Sequence, residues 1–426
     1  MRRSPPFFRK PEDGRRRTDD GLTDKDSPSF SVLYRLSSVR ENQMSTPLPL
    51  TGLTVIELGH SVAAPYACEI LGDLGADVIK VEKVEGDDAR SWAPPYWGAT
   101  SATFQSFNRN KRSVVVNLRD PAERERLRKL IIARADVVVQ NLRPGSAADF
   151  GLDAATLRAS KPSLIYCTLG AFGREGPLKD RPGYDPLMQA FGGIMSVTGE
   201  PQRPVRAGTS IIDMATGMWS VIGILTALLQ RRESGKGSSI DTSLYETALG
   251  WMCYHAANFQ ASGELPRPQG SGAAMIVPYR GYASKDGFIV IAAGNDRLFA
   301  SLARLLGHPE WIDDPRFRSN PDRVRNQDVL YRWIEELIPA RTNREWAAIL
   351  DEAGVPNAPM QTIAEVLDHP QTKALGMLQA SPQGDITLFG LPVSFDGVRP
   401  AFRRPPPVLG AHTGEILGEL EAGRTQ

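Results

Sequence analysis

Two short β-branched runs joined by a single helical segment most constrain what this chain can fold into. Residues 54–58 (T-V-I-E-L) and 76–82 (A-D-V-I-K-V-E) read as strands. Between them, residues 59–65 read as a loop, and residues 66–74 carry apolar groups at helical spacing and stop at Gly75. A helical crossover returns the chain to the start of the sheet, so the second strand runs parallel to the first. The turn after the first strand is G-H-S-V-A-A-P, not the glycine-rich G-x-G-x-x-G of dinucleotide folds, so no nicotinamide or flavin cofactor is expected.

The same alternation continues. A strand is expected at 114–118, a helix at 121–135, strands at 136–140 and 163–168, a helix at 213–232, a strand at 239–242 and a helix at 244–259. Ligands of open α/β sheets gather beyond the carboxyl ends of the strands, so the loops after Leu58, Glu82, Gln140 and Thr168 form a candidate mouth. Residues 260–274 are rich in Pro and Gly and read as a linker or mobile loop. Beyond them the pattern changes to a smaller α+β unit. A hairpin at 279–283 and 288–292 turns on S-K-D-G, and helices follow at 296–306, 327–338 and 344–353. A strand pattern at 386–395 and a helix at 413–420 end the chain.

Composition narrows the function classes. Of the 426 residues, 41% are apolar and 23% charged, and the net charge is +1, which suggests neither a nucleic-acid nor a membrane-surface partner. Cys68, Cys167 and Cys253 lie far apart without a CxxC pair, which points to a reducing, cytoplasmic setting. The five histidines are isolated and give no metal spacing. The longest apolar run, 218–229, is too short to span a bilayer and reads as a buried core helix. Residues 1–43 are rich in Arg, Lys, Asp, Ser and Pro without periodicity, a disordered composition. No apolar stretch follows Arg3 as in a secretory signal, and Asp13, Asp19, Asp20, Asp24 and Asp26 argue against a transit peptide. The folded protein is expected to begin at Met44, the first 43 residues being a disordered tail or an upstream start.

Residues 182–199, P-G-Y-D-P-L-M-Q-A-F-G-G-I-M-S-V-T-G, hold the chemically most suggestive group. Asp185 has two readings. It can cap a helix starting at Pro186. It can also act as a nucleophile, because an ordinary aspartate is ionised at neutral pH and needs no partner base. Gly192 and Gly193 allow close approach of a ligand or another backbone, and their N–H groups are candidate oxyanion donors. Three cations in F-N-R-N-K-R-S (107–113), with Lys80 and Lys83 at the end of an earlier strand, could hold phosphates and a ribose. For a lone cluster of this kind, a solvated, charged strand margin is the commoner reading.

The stretches L-T-G-L-T-V-I-E-L, G-D-L-G-A-D-V-I-K-V-E, N-R-N-K-R-S-V-V-V-N-L, R-P-G-Y-D-P-L-M-Q-A-F-G-G-I-M, D-M-A-T-G-M and G-K-G-S-S-I-D-T-S-L-Y-E occur in this order. Together they resemble the class III CoA-transferases, the formyl-CoA transferase and carnitine CoA-transferase group, from about Leu48 to about Leu417. The resemblance implies an α/β fold in which a Rossmann-like large domain (44–255, completed by 385–426) carries an inserted smaller α+β domain (275–375). It also implies an interlocked homodimer. The family's catalytic aspartate maps onto Asp185, which would pass through an acyl-aspartyl anhydride and an aspartyl-CoA thioester. Coenzyme A thioester is then a substrate, and no permanently bound cofactor or metal is implied. By the same resemblance the CoA site uses His60, Ser61, Val62, Ala63, Lys80, Glu82, Lys83, Asn108, Lys111 and Arg112, and Gly270 and Gly272 lie where some members carry a mobile glycine loop.

Two other readings compete. Acyl-CoA racemases of the same superfamily place a histidine base before the aspartate, where this chain has Tyr184, and an asparagine where it has Leu187. A tyrosine with pKa near 10 is a poor base at neutral pH. Asp213 stands where racemases keep a second acid. A non-catalytic CoA-binding module would not need Asp185. The small unit, with R-V-R-N-Q at 323–327, is most similar to the succinyl-CoA:dicarboxylate branch, which includes succinate–hydroxymethylglutarate CoA-transferase. A dicarboxylate keeps one free carboxylate that needs a cation, and Arg206 and Arg280 are candidates, with surface or interdomain ion pairs as the alternative.

Overall fold

The computed structural model describes residues 47–421; the expected tail (1–43) and the start at Met44 lie outside the described residues. Six strands form a parallel sheet: β1 (Thr54–Leu58), β2 (Asp77–Glu82), β3 (Lys111–Val115), β4 (Val137–Gln140), β5 (Ile165–Gly170) and β6 (Ser239–Ser243). Their spatial order is β6-β5-β4-β1-β2-β3. The order reverses between β1 and β4, the switch point at which open α/β sheets part their loops.

Apolar side chains fill both faces of the sheet, as expected when helices cover both. Val55, Val78, Val137 and Ile165 point into one core, and their neighbours Ile56, Ile79, Val138 and Tyr166 into the other. On the first face lie helix α1 (Ala63–Asp73) and, later in the chain, the 24-residue helix Ile211–Ser234. On the second lies α2 (Pro121–Arg134), through Leu127, Leu130 and Ile131. The helix α1 begins before the expected residue 66 because Pro65 sits in its first turn, where a missing N–H removes no hydrogen bond.

The large layer also includes α3 (Asp185–Phe191), the long helix just named, α4 (Ile211–Ser234), and α5 (Leu244–Trp251) and α6 (Cys253–Ser262). The expected single helix at 244–259 breaks at Met252. At Gly217 of α4 a Cβ would lie 2.8 Å from the Ala63 carbonyl oxygen, so α4 crosses α1 in close contact only because this residue is glycine. Among the described residues α4 is the one helix long and apolar enough to cross a membrane, and 44% of its most apolar window is buried. The expectation of a buried core helix therefore holds for one side of α4. The other side exposes Met218, Trp219, Ile222 and Leu229.

A second apolar core lies between Val277 and Val355. It is built on an antiparallel sheet of β7 (Tyr279–Ala283), β8 (Phe288–Ala292) and β9 (Asn357–Pro359). Helices α7 (Asp296–Leu305), α8 (Gln327–Leu337) and α9 (Asn343–Glu352) cover it through Phe299, Leu302, Leu330, Ile334 and Leu350. The strand expected at 386–395 shrinks to Thr387–Phe389, because Gly390 and Pro392 follow. The last helix, α10 (Thr413–Glu421), brings Ile416 into the large core. It also closes the edge strand β3: Val115 N donates to Thr413 Oγ1 at 3.0 Å.

The centre of the sheet buries four charges. Glu57 on β1 faces Lys80 on β2 in register. The Lys80 ammonium lies 2.7 Å from Glu57 Oε1 and 2.8 Å from Asp87 Oδ2, and donates to the Gly59 carbonyl at 3.0 Å. The Lys111 ammonium lies 2.9 Å from Glu57 Oε2 and donates to Pro65 O and Asn108 Oδ1. Two lysines and two carboxylates make the group neutral. Burial alone would lower the pKa of Lys80, but Glu57, Asp87 and Glu82 outweigh it and hold the ammonium charged. Replacing Lys80 by Met leaves Asp87 and one oxygen of Glu57 uncompensated. We expect a loss of about 3–5 kcal/mol in denaturant unfolding, against little change for Lys83→Met, whose charge is exposed. Equal midpoints for the two variants would contradict this account.

Candidate functional site

A cleft of about 1440 Å³ opens along the carboxyl ends of the parallel strands. Its wall uses residues 58–63 after β1, 81–88 after β2, 116–119 after β3, 140–147 after β4, and 168–171 with 173–174 around the end of β5. The loops expected to form a mouth after Leu58, Glu82, Gln140 and Thr168 all take part.

The loop after β1 forms the floor at the switch point. Ser61 takes a left-handed backbone (φ 69°), uncommon for a residue with a side chain. It is held there from several sides. Ser61 N donates to Asp87 Oδ1 at 3.0 Å and His60 N to Asn141 Oδ1 at 3.0 Å, while Asn141 Nδ2 donates back to the His60 carbonyl at 2.9 Å. Through Asp87 and the Gly59 carbonyl, the buried Lys80 is wired to this same loop. Burial lowers the pKa of His60 against the opposing pull of Asp87 and Asp88, so the ring is neutral at pH 7.

Of the residues expected to bind CoA, His60, Ser61, Val62, Ala63, Glu82 and Lys83 line the cleft. Lys80, Asn108, Lys111 and Arg112 do not, and this corrects the sequence expectation. Residues 108–112 enter β3, and in a parallel sheet they lie at the amino end, opposite the cleft. Their polar groups are already used. Lys80 and Lys111 belong to the buried cluster, Asn108 donates to the Phe104 carbonyl at 2.9 Å, and Arg112 pairs with Asp77 and with Glu415 at 2.6 Å. Glu82 is a wall element that accepts from Arg90, Ser113 and the Asp87 amide. Lys83 pairs with Asp88 at 2.6 Å in solvent, a pair that an anion can replace. Sequence reasoning missed Arg119, Arg143, Arg174 and Lys179, which line the cleft. Arg174 pairs with Asp241 at 3.2 Å; the other three have no ion-pair partner among the described residues. Their signal was position: each lies on a chain segment that follows a strand of the parallel sheet.

Asp185 lies behind the cleft wall formed by Gly183, Tyr184 and Asp213, and is 1% exposed. It does not cap its own helix: it is the first residue of α3, and the N-cap is Tyr184 without a side-chain bond. Its carboxylate instead receives the start of α4. Ile212 N donates to Oδ2 at 2.8 Å and Asp213 N at 3.3 Å, while Gln189 Nε2 donates to Oδ1 at 2.6 Å. Gln189 is itself oriented, since its Oε1 accepts from Ala207 N at 2.8 Å. The chain's own cap for α4, Ser210, makes no side-chain bond, so Asp185 does the capping from 27 residues away.

The glycines behave otherwise than expected. Gly192 N donates to Met188 O at 2.8 Å and Gly193 N to Ala190 O at 3.3 Å, so both amides close the end of α3 and neither is a free oxyanion donor. Gly192 is glycine because a Cβ would lie 2.4 Å from Ala248 Cβ on α5. Gly270 N donates to Gly199 O at 2.8 Å and Gly272 N to Gln269 O at 2.9 Å, and neither glycine lines the cleft. Nor do Arg206 and Arg280. Arg206 is exposed and donates to the Ala207 and Gly208 carbonyls. Arg280 lies over Tyr331 and pairs with Glu335 of α8 at 3.3 Å, so it is a partly exposed ion pair at the surface of the small unit.

Asp213 lines the cleft beside Asp185 and has no cation partner among the described residues. Burial, then the charge of Asp185, push its pKa up from 3.8 to about 7. Between those values the native state holds a proton that the unfolded chain releases, so stability falls as pH rises through that window. Asp213→Asn removes the effect. The difference in Tm, variant minus wild type, is expected to grow from pH 5 to pH 8 in thermal scans; a difference that does not change with pH contradicts the assignment.

With this geometry in hand, comparison with known proteins is informative. The model of CoA-transferase family III matches residues 50–413. The chain is 35% identical over 385 residues to the human succinyl-CoA:glutarate CoA-transferase, covering 89% of this chain and 88% of that one. It is 36% identical over 384 residues to the succinate–glutarate CoA-transferase of Agrobacterium fabrum, covering 88% and 96%. A CAIB/BAIF family protein from Brucella suis superposes with a TM-score of 0.80 at 40% identity, over 88% of this chain and 100% of that one. A cleft at the switch point of a parallel sheet, a buried aspartate behind its wall and similarity along nearly all the described residues converge: this chain belongs to CoA-transferase family III.

Proposed function

We propose that the protein transfers CoA from succinyl-CoA to a dicarboxylic acid such as glutarate, with Asp185 as the covalent nucleophile. The observation that carries this reading is the Asp185 carboxylate, fixed by three donors directly behind the wall of a cleft of CoA size. The names of the human and Agrobacterium relatives supply the donor and the acceptor class. Tyr184 stands where the racemase reading needs a histidine, and it is 61% exposed.

In this mechanism the Asp185 carboxylate adds to the thioester carbonyl, the C–S bond breaks, and CoA leaves as a thiolate. The result is a mixed anhydride. The thiolate then adds to the aspartyl carbonyl and expels the donor acid, giving an aspartyl-CoA thioester. The acceptor carboxylate displaces CoA from it, and thiolate attack on the acceptor carbonyl restores Asp185. Protons balance throughout, so no separate base is required. Water must be excluded, because it hydrolyses both intermediates; a carboxylate set behind a wall rather than in the open cleft suits that need. Lys83, Arg119 and Arg143 are positioned along the cleft to hold the CoA phosphates, while Arg174 and Lys179, on the segment leading to Asp185, replace Arg206 and Arg280 as partners for the free acceptor carboxylate. The free state of all three cysteines fits a reducing compartment.

The working form in this reading is an interlocked homodimer. Met218, Trp219, Ile222 and Leu229 on α4 continue into exposed Leu249 and Trp251 on α5 and Tyr254 and Phe259 on α6. A run of large apolar groups of this kind is unusual on a monomer, and a second copy would cover it. Light scattering at low micromolar concentration is expected to report a dimer whose dissociation coincides with unfolding; a folded monomer contradicts it.

The catalytic role is tested by Asp185→Asn with succinyl-CoA and glutarate, product being read by mass spectrometry. Turnover is expected to fall at least about a thousandfold, roughly 4 kcal/mol in the barrier, with CoA affinity retained. Hydroxylamine should mark Asp185 in the wild type. A variant keeping more than about a tenth of the activity, under 1.4 kcal/mol, excludes the covalent role.

A further inference from the structure

Acyl transfer through an aspartate places two tetrahedral intermediates on the enzyme itself. One forms when CoA thiolate adds to the aspartyl anhydride, the other when the acceptor carboxylate adds to the aspartyl-CoA thioester. In both, the reacting carbon is Cγ of Asp185 and the negative charge falls on the carboxyl oxygen that is not bonded to the acyl group. The usual stabiliser for such an oxygen is a pair of preorganised N–H groups. Gly192 and Gly193 do not provide one, because both amides are bound inside the end of α3.

The start of α4 does. Oδ2 of Asp185 already accepts from Ile212 N at 2.8 Å and Asp213 N at 3.3 Å. The first N–H groups of a helix have no intrahelical partner and carry the positive end of its dipole. In α4 that dipole is built on 24 residues, and Ser210 leaves these amides unoccupied by any cap of its own. The other oxygen, Oδ1, is held, among the described residues, by the Gln189 side chain alone, at 2.6 Å. The two oxygens are thus unequal: one is pinned by backbone, and the other meets a side chain that can move.

We propose that the Ile212 and Asp213 amides are the oxyanion site for the two intermediates centred on Asp185, with Oδ2 as the oxyanion and Oδ1 as the attacking atom. This rests on Asp185 being the nucleophile. Oδ1 forms the bond to the acyl carbon as Gln189 gives way. Oδ2 becomes the carbonyl oxygen of the anhydride without leaving the helix start. When thiolate sulfur bonds to Cγ, the C–O π pair moves onto Oδ2 between the two amides. It returns as the Cγ–Oδ1 bond breaks and the donor carboxylate departs carrying Oδ1, which an oxygen of the acceptor carboxylate replaces in the second half. The second cycle repeats this with the acceptor entering and thiolate leaving. The amides that cap α4 in the resting enzyme are therefore those that carry the reaction's charge.

The test removes one N–H. Ile212→Pro deletes it at a position in the first turn of α4, where proline is tolerated. Ile212→Ala keeps the N–H and controls for the lost side chain, which is fully buried. Replacing Ile212 by its α-hydroxy acid exchanges N–H for oxygen with the side chain intact, and serves if the proline variant does not fold. The expected kcat loss for the proline and ester variants is about 10²–10³-fold, with KM for succinyl-CoA little changed and Ile212→Ala much nearer wild type. Rapid-quench intact-mass spectra with succinyl-CoA and no acceptor should show succinyl-enzyme persisting and CoA-enzyme appearing more slowly than in the wild type, because thiolate attack at Cγ is the slowed step. A folded ester variant with wild-type kcat, or a slowed one without that change of adduct, overturns the proposal. Active Asp185→Asn would instead overturn the nucleophile reading on which it rests; inactive Asp185→Asn with a wild-type-like ester variant overturns the oxyanion site alone.

Discussion

Four buried charges at the centre of the parallel sheet govern the shape of the cleft above it. An isolated ion in such a place would cost several kcal/mol of lost hydration. Glu57, Lys80, Asp87 and Lys111 avoid that cost by pairing to neutrality across the three adjacent strands β1, β2 and β3 and the loop after β2. The same bonds reach the cleft floor, through Lys80 to the Gly59 carbonyl and through Asp87 to the Ser61 amide. A left-handed backbone at a residue such as Ser61 costs of order 1–3 kcal/mol, and this network offsets it. Core and floor are thus one object: a change in the pairing beneath the sheet is a change in the surface presented to ligand.

A second buried carboxylate organises the reactive end. Asp185 closes the start of α4, a helix that anchors the domain through its contact with α1 at Gly217. A carboxylate placed there is held against backbone donors that need no reorganisation when charge develops. The same position sets it beside Asp213, whose carboxyl pKa is pushed up to about 7 by burial and then by the charge of Asp185. The helix therefore contributes three things at one point: a fold contact, a cap site and an electrostatic field.

Much of the fold was legible in the residues. The βαβ spacing predicts a parallel sheet, and the structure adds that Val55 and Ile56, Val78 and Ile79, Val137 and Val138 alternate between two apolar cores, one on each face. The Asp286-Gly287 hairpin and the loops of the cleft mouth were legible for the same reason: turn chemistry and strand polarity are local properties. Boundaries were less so. The helix at 244–259 breaks at Met252, and the strand at 386–395 shrinks to three residues where it finds only a short partner at Leu378–Ala380.

The site divided along the same line. Residue chemistry alone singled out Asp185, and a family resemblance carried by ordered motifs named its class. Sequence could not tell which cations face the cleft. Lys80, Lys83, Lys111, Arg112, Arg119 and Arg143 are alike as letters, and only the third dimension pairs Lys80 and Lys111 with buried Glu57, ties Arg112 to Asp77, and leaves Arg119 and Arg143 open to the cleft. Nor could it assign the donors around Asp185, since the amides of Ile212 and Asp213 lie 27 and 28 residues away. Periodicity and turn signals act over a few residues, so the chain determined its elements and marked Asp185 as its candidate group. Ion pairing and capping act through space at about 3 Å, so only the tertiary structure decided which charges are buried and what holds the Asp185 carboxylate.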